Sequence, residues 1–368
     1  MKITFPHMGN ICLPLQKMLE KAGAEVVLPP PNSKRTLTLG TKYAPESACL
    51  PFKMTLGNFI EALELGADTI LTAGGPGRCR FGFYGEMQRR VLKDLGFSFN
   101  MLNINTSDHA LLNLITALRS VLPGLSWLKA LQAVRMGFAV LQALDTLEKE
   151  LYKMRPQELA KGESTRAFRQ FMARLPQAET IAETKAACRY GLDLMQRIPV
   201  NKERSVLKIG LLGEIYVVLE PYTTADIERQ LGEMGVEVTK FLYPGDWALF
   251  NLFIKALKIF PEHRTAAAAA KPYLNYHVGG DGQKTVGQAV LCAQDGYDGV
   301  IQLYPFTCMP EIVAQYMLPR VQEDYQLPVL ILGIDEHTGA AGMQTRLEAF
   351  VDLVRRKQQR EGHNSLPV

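Results

Sequence analysis

The strongest constraint on the fold is an alternation of short apolar strands with amphipathic helices, present at both ends of the chain and missing from its middle. In the first hundred residues, "KITF" (2–5), "AEVVL" (24–28), "DTILTAGG" (68–75) and "FSFNML" (97–102) read as strands. The spacing between them predicts helices over 13–22, over 52–65 and around Met87, Val91 and Leu95. Within 52–65, Phe52, Leu56, Phe59, Ile60 and Leu63 share one face, the 3.6-residue period of a helix with one buried side. Gly66 supplies a stop. The alternation returns at "SVLKIGLLGE" (205–214), "VEVTKFL" (236–242), 300–304 and "PVLILGI" (328–334). Helices are expected up to about 234, across the alanine run 266–270, over 283–295 and from 310, where Pro310 suits a first helical position. In a last helix Leu347, Phe350, Val351 and Val354 share a face. Thr223 with Asp226, and Thr345 with Glu348, have the spacing of helix capping boxes. Strand–helix alternation argues for parallel sheets, because parallel neighbours need a crossover long enough to hold a helix.

Residues 106–200 are rich in Leu, Ala, Gln, Arg and Lys, poor in glycine and without a convincing strand. They read as a helical region split near Pro123 and around 155–165. The expected organisation is an N-terminal α/β lobe over 1–105, a helical segment over 106–203 and a C-terminal α/β lobe over 204–368. No internal repeat stands out in the residues.

Composition narrows the classes of function. A formal net charge of +4 without a dense Lys/Arg block gives nucleic-acid binding no electrostatic support. The N-terminus "MKITFPHMGN" lacks the apolar core of a signal peptide. The most apolar zone, 121–145, carries Lys129 and Arg135, which argues against a membrane span. A cytoplasmic location is the expectation, and there six cysteines are better judged as thiols or metal ligands than as disulfides.

Three of the six share a setting. Cys49, in "PESACLPFK", precedes the helix of 52–65; Cys79, in "AGGPGRCRFG", and Cys308, in "YPFTCMPE", each follow a strand and precede a helix. Loops at the carboxyl ends of parallel strands face the ligand crevice, and a helix N-terminus favours thiolate over thiol. Three such thiolates suit a metal or an iron–sulfur cluster. Free cysteine is also a common small core residue. Cys79 departs from that reading, because Gly74, Gly75 and Gly77 allow tight backbone geometry or a close approach to a bound group, and Arg78 and Arg80 favour an anion nearby. Cys12, near the start of the first helix, is a possible further ligand. Cys188 and Cys292 sit mid-helix and read as packing residues. No C-x-x-C occurs, so a zinc ribbon or ferredoxin-type run is not indicated.

At these residues the sequence resembles the 2-hydroxyacyl-CoA dehydratase and benzoyl-CoA reductase family, which includes double-cubane cluster proteins. Within it the chain looks like the subunit group associated with acyl-CoA dehydratase activases. The segments that carry the resemblance are "PPPNSKRTLTLG" (29–40), "ESACLPFKMTLGNFIEALELGADTI" (46–70), "GGPGRCRFGFYGEMQ" (74–88), "GEIYVVLEPY" (213–222), "DGVIQLYPFTCMPEIVA" (298–314) and "DEHTGAAGMQTRLEAFVDL" (335–353). The resemblance implies two Rossmann-like parallel-sheet lobes with a helical segment between them and a cluster in the cleft. Cys49, Cys79 and Cys308 would hold a [4Fe–4S] cluster, with a double-cubane cluster as second choice, and one iron would be left open. It implies an ATP-activated lyase or reductase subunit. A separate ATP-hydrolysing iron–sulfur activator would deliver a low-potential electron to an acyl-CoA thioester, and a ketyl radical would let the hydroxyl leave. A companion dehydratase subunit is the other implied partner. Ala340 stands where related sequences are often acidic, so no role is carried over to a carboxylate there.

Other residues are candidates on position. Glu214, in "GEIY", follows a strand and has either a place at the crevice or a loop position in solvent. Asp335, Glu336 and His337 also follow a strand; Glu336 and His337 are candidates for proton handling, and Asp335 for capping the next helix. Gly75, Gly77 and Arg78 are the cofactor-binding candidates. His7 and His277 are possible pocket residues. Lys34, Arg35 and Lys53 are basic residues that would suit CoA phosphates or simply face water. No phosphate loop of the G-x-x-x-x-G-K-[ST] type is present, which places ATP hydrolysis on a partner. Two rival readings remain: a non-catalytic cluster protein that transfers electrons or assembles with the activator, and a zinc-stabilised α/β binding protein.

Overall fold

The computed structural model describes residues 1–75, 77–105, 110–248 and 262–364. It contains two four-stranded sheets, parallel throughout, each serving its own lobe. The α/β architecture expected from the alternation is the one observed.

In the first lobe the chain runs β1 (Lys2–Thr4), α1 (Cys12–Ala22), β2 (Glu25–Val26), α2 (Lys34–Tyr43), α3 (Leu50–Glu64), β3 (Thr69–Gly74), α4 (Tyr84–Asp94) and β4 (Asn100–Asn105). The strand order is β2-β1-β3-β4. Strand β3 is buried on both faces, as a central parallel strand must be. Leu71 faces Ile3, Phe5, Leu19 and Leu118, while Ile70 faces Phe52, Phe59 and Leu92 on the other side. Helix α2 falls in a stretch read only as basic. Its start is a capping box in which Ser33 and Thr36 bond reciprocally, so Lys34 and Arg35 lie in its first turn.

The glycine-poor middle is helical, as its composition implies: α5 (Ala110–Val121), α6 (Trp127–Met154), α7 (Glu163–Arg174) and α8 (Ile181–Gln196). Its breaks fall near Pro123 and around 155–163. By contact density the chain divides within α6, at the end of α7 and within α8. The stretches 110–145 and 174–188 group with the first lobe, and 146–173 and 189–203 with the second. Ala130, Ala133 and Val134 of α6 pack on Phe5 and Met18, and Gly137 lets Met18 approach to 2.9 Å of where a Cβ would lie.

The second lobe runs β5 (Leu207–Gly213), α9 (Ile215–Leu219), α10 (Ile227–Glu233), β6 (Val236–Lys240), α11 (Pro244–Ala248), α12 (Glu262–Ala270), α13 (Gly282–Gln294), β7 (Gly299–Pro305), α14 (Met309–Tyr325), β8 (Val329–Ile334) and α15 (Ala340–Asn364). Helix α11 itself groups with the first lobe. The sheet order is β6-β5-β7-β8, the same topology as the first. Val286, Ala289, Val290, Ala314 and Leu318 cover one face. Gly299, at the start of β7, is met by Phe350 and Val354 of α15.

Both capping boxes expected in this half are absent. Asp226 is the N-cap of α10 but adopts a left-handed backbone (φ 57°) and makes no side-chain cap; Thr223 Oγ1 donates to the Glu220 carbonyl instead. Helix α15 begins five residues before Thr345, whose hydroxyl donates to the Ala341 carbonyl one turn back. Pro310 is the second helical residue of α14, since Met309 takes the first. Among the described residues no helix is long and apolar enough to cross a membrane.

Candidate functional site

Cys49, Cys79 and Cys308 occupy one kind of position: each is the N-cap of a helical segment with an extended backbone. Cys49 caps α3 (φ −71°, ψ 159°). Cys79 caps a 3-10 turn, Arg80–Phe83, that runs directly into α4 (φ −85°, ψ 142°). Cys308 caps α14 (φ −74°, ψ 100°). None of the three caps through a side-chain hydrogen bond to the helix. The amide ends of these segments favour negative charge at the sulfurs. None of the six cysteines is in a disulfide.

In the first lobe the loops bearing Cys49 and Cys79 are tied together. Tyr84, the first residue of α4, places its hydroxyl against the Cys49 Sγ. Its ring lies edge-on to Phe52 at 5.0 Å and to Phe81 at 5.5 Å. Arg80 Nη1 donates to the Ser47 carbonyl at 3.1 Å. Gly82 closes the loop after β3, since a Cβ there would lie 2.2 Å from the Gly75 carbonyl oxygen. Gly75 has φ 136°, a conformation that glycine permits. Gly77 differs from expectation: it has neither a positive φ nor a neighbour within 4 Å of a built Cβ, so its setting does not require glycine. Arg78 is exposed.

In the second lobe Cys308 follows β7 through a turn in which its N–H donates to the Pro305 carbonyl at 2.9 Å. Thr307 between them has φ 68°, uncommon for a β-branched residue. Cys308 is 7% exposed, whereas Phe306 and Met309 on either side are exposed.

Glu214 is also an N-cap. Its carboxylate accepts from the Val217 N–H at 3.2 Å, and its own N–H donates to Leu303 on β7. It is therefore fixed at the carboxyl ends of β5 and β7, where the strand order reverses, and not a loop carboxylate in water. Burial pushes its pKa up to about 7, with Asp281 adding to the rise and the helix N–H groups opposing it. Asp281, which precedes α13, is raised by burial too, against Lys284 and His277. Glu311, in the first turn of α14, is fully buried and pushed up to about 8 by burial, with Asp281 and Glu214 adding to the rise. It accepts from Thr285 Oγ1 at 3.0 Å and from Gln302 Nε2 at 2.8 Å. Sequence reading missed Asp281, Glu311 and Tyr84. The first two look like ordinary helix-start carboxylates, and only tertiary contact shows them converging.

The remaining candidates separate. Asp335 does not cap α15: its carboxylate accepts from the His337 N–H and the Thr338 hydroxyl, building a turn ahead of that helix. Glu336 is half-buried and His337 exposed. His7 sits in an amide network with Asn32 and Asn58 at the end of β1. His277 is exposed. Lys53 is buried inside α3, whereas Arg35, in the first turn of α2, faces water and pairs with Glu64. Cys188 lies within α8 and is half-buried, while Cys292, within α13, is 1% exposed with its thiol pKa raised by burial. Cys12 is the first residue of α1 and half-buried.

The fold and these loops define a class: an α/β protein with two parallel-sheet lobes of like topology, bearing cysteine at helix N-caps. No family model and no curated protein matches the chain. Among the described residues no group of three or more His, Cys, Asp or Glu side chains is arranged to hold a metal ion.

Proposed function

We propose that the chain is an iron–sulfur subunit of an ATP-activated enzyme of the 2-hydroxyacyl-CoA dehydratase or acyl-CoA reductase kind, with Cys49, Cys79 and Cys308 as cluster ligands. The observation that carries the reading is the shared placement of those thiols at helix N-caps, two of them directly after the third strand of a lobe. The donor set fits the group: cysteines outside any disulfide, at positions that favour thiolate, with a tyrosine hydroxyl placed to donate to one sulfur. When bound, a [4Fe–4S] cluster held by three cysteines supplies a low-potential electron and an open iron.

The chain's own residues do the rest. Tyr84 orients Cys49, and the Arg80–Ser47 bond fixes the Cys79 loop against the Cys49 loop. Glu214, with a pKa of about 7, can take or give a proton at neutral pH, which loss of water from a hydroxyacyl group requires. The activator and a companion subunit are partners of this proposal.

The test is anaerobic purification with analysis of iron, acid-labile sulfide and zinc. Iron and sulfide are expected, and Cys49→Ala, Cys79→Ala and Cys308→Ala each lose most of the iron, while Cys188→Ala and Cys292→Ala retain it. Near-stoichiometric zinc without sulfide would sink the reading. A cluster that is reduced by an activator yet gives no enoyl product, even with a companion subunit, would leave an electron-transfer protein.

A further inference from the structure

The carboxylates of the second lobe form a cluster of which the proposed function uses only Glu214. Three elements bring them together. Glu214 stands at the end of β5, Asp281 at the start of α13 and Glu311 at the start of α14. The two helix starts are in contact: a Cβ on Gly282 would lie 2.2 Å from the Pro310 carbonyl oxygen. Asp281 also accepts from the backbone N–H of Ile215, next to Glu214.

Gln302, on β7, shows what the cluster holds. It is fully buried, and its Nε2 donates both to the Glu311 backbone carbonyl at 3.0 Å and to Glu311 Oε2 at 2.8 Å. The carbonyl can only accept, so the amide orientation is fixed. Gln302 Oε1 is then a buried acceptor without a hydrogen-bond partner, beside a carboxyl group. Such an acceptor calls for a donor, and a protonated carboxyl is one.

The cations that face the cluster act on Asp281 and not on Glu311. Lys284 and His277 act on Asp281. Glu311 receives only a neutral hydroxyl and a neutral amide, from Thr285 and Gln302. Three like charges cannot all ionise at close range without a counter-ion.

We propose that Glu214, Asp281 and Glu311 form a proton-holding site in which Glu311 is a neutral carboxylic acid at neutral pH. The ligand is a proton. Glu311 is the interior reservoir, and Glu214 and Asp281, half-buried, are the members that exchange with solvent or with an oxygen bound at the carboxyl edge of β5 and β7. The inference rests on the second lobe alone and stands whether or not the chain binds a cluster.

Linkage sets the sign. A carboxyl whose pKa is raised on folding binds more protons in the folded than in the unfolded state, so its contribution falls as pH rises. For Glu311 that contribution is full below about 4.5, the ordinary value for glutamate, and is lost as pH passes about 8.

The test uses the full-length protein and follows the infrared carbonyl stretch of protonated, isotope-labelled glutamate against pH, with melting curves at about pH 5 and about pH 9. The wild type should retain a protonated glutamate at pH 7 that titrates away near pH 8. Glu311→Gln, an uncharged near-isostere, should abolish the part of that band that titrates near pH 8 and leave the Glu214 part, which titrates near pH 7. It should raise Tm at about pH 9 by on the order of 5 °C and leave it unchanged at about pH 5. Absence of the band in the wild type above about pH 6 overturns the proposal, and that measurement needs no variant to fold. So does a component titrating near pH 8 that survives Glu311→Gln, or an equal loss of Tm at both pH values.

Discussion

The two lobes share a strand order but not a chemistry. Each inserts its first strand between its second and third, and each packs a close helix pair ahead of the third strand, α2 with α3 and α12 with α13. The residue preceding the second helix of the pair is Cys49 in one lobe and Asp281 in the other. The residue capping the helix after the third strand is Cys79 in one and Cys308 in the other. Even the tie between the next helices corresponds. Thr55 accepts from the neutral Gln88 in the first lobe, and Thr285 donates to Glu311 in the second. One scaffold thus carries two thiols and a tyrosine hydroxyl in one lobe, and one thiol and three carboxyls in the other. The backbone fixes where a group can stand, and substitution at those stations decides whether it offers sulfur or a proton.

The largest expected effect tests whether the helix pairs are equivalent. A Cβ at Gly57 would lie 2.0 Å from the Thr36 carbonyl oxygen, and one at Gly287 would lie 1.8 Å from the Ala266 carbonyl oxygen. Neither neighbour is a side chain that could swing away, so each pair would have to separate. Gly57→Ala and Gly287→Ala should each cost about 4 kcal/mol or more, or prevent folding. Gly66→Ala, with φ 92° but nothing within 4 Å, should cost only about 1 kcal/mol. Denaturant unfolding measures all three, and a mild effect at only one helix pair would break the equivalence.

Buried lysines give a smaller contrast. Lys240 of β6 is enclosed, with its Nζ 3.1 Å from Glu228 Oε1, 3.6 Å from Glu148 Oε2 and 3.1 Å from the Tyr152 hydroxyl. Removing it leaves Glu228 buried without its cation, and Glu228 Oε2 already lacks a partner. Lys240→Met should therefore cost about 3 kcal/mol, with the double variant Lys240→Met, Glu228→Gln recovering part of the loss. If the double variant is no better than the single, the pairing is not what Lys240 contributes.

How much could be read in advance follows the range of each interaction. The eight strands and the helical middle were legible, because a buried face imposes its period on neighbouring residues. Cap positions of the cysteines were legible too, since strand ends, proline and helix periodicity bracket them locally. Two capping boxes were misread because the Thr-x-x-Asp/Glu pattern is not sufficient: Asp226 turns left-handed, and the small residues from Ala340 start α15 a turn early. Helix α2 was missed where lysine, arginine and threonine hide a weak apolar face. Two α/β lobes were legible, but their identical strand order was not, because topology repeats while side chains do not. Glu311 was invisible because what makes it unusual lies 26 residues away at Thr285 and nine away at Gln302.

The smallest effect marks the limit of the lysine comparison. Lys17 of α1 is as buried in its stem as Lys240, yet its partner Glu179 is 75% exposed, at 2.9 Å. The hydrogen bond from Lys17 holds the Glu179 pKa below its ordinary value. A lowered carboxylate contributes above its unfolded pKa and loses that contribution as pH falls through the folded one. Because water and salt reach Glu179, the pair is screened where the Lys240 cluster is not. Glu179→Gln should give a small Tm decrease at neutral pH and low salt, which vanishes in acid and in molar salt. Lys240→Met should be as damaging in molar salt as without it. If the Glu179 variant loses as much as the Lys240 variant under both conditions, burial of the partner is not what separates the two lysines.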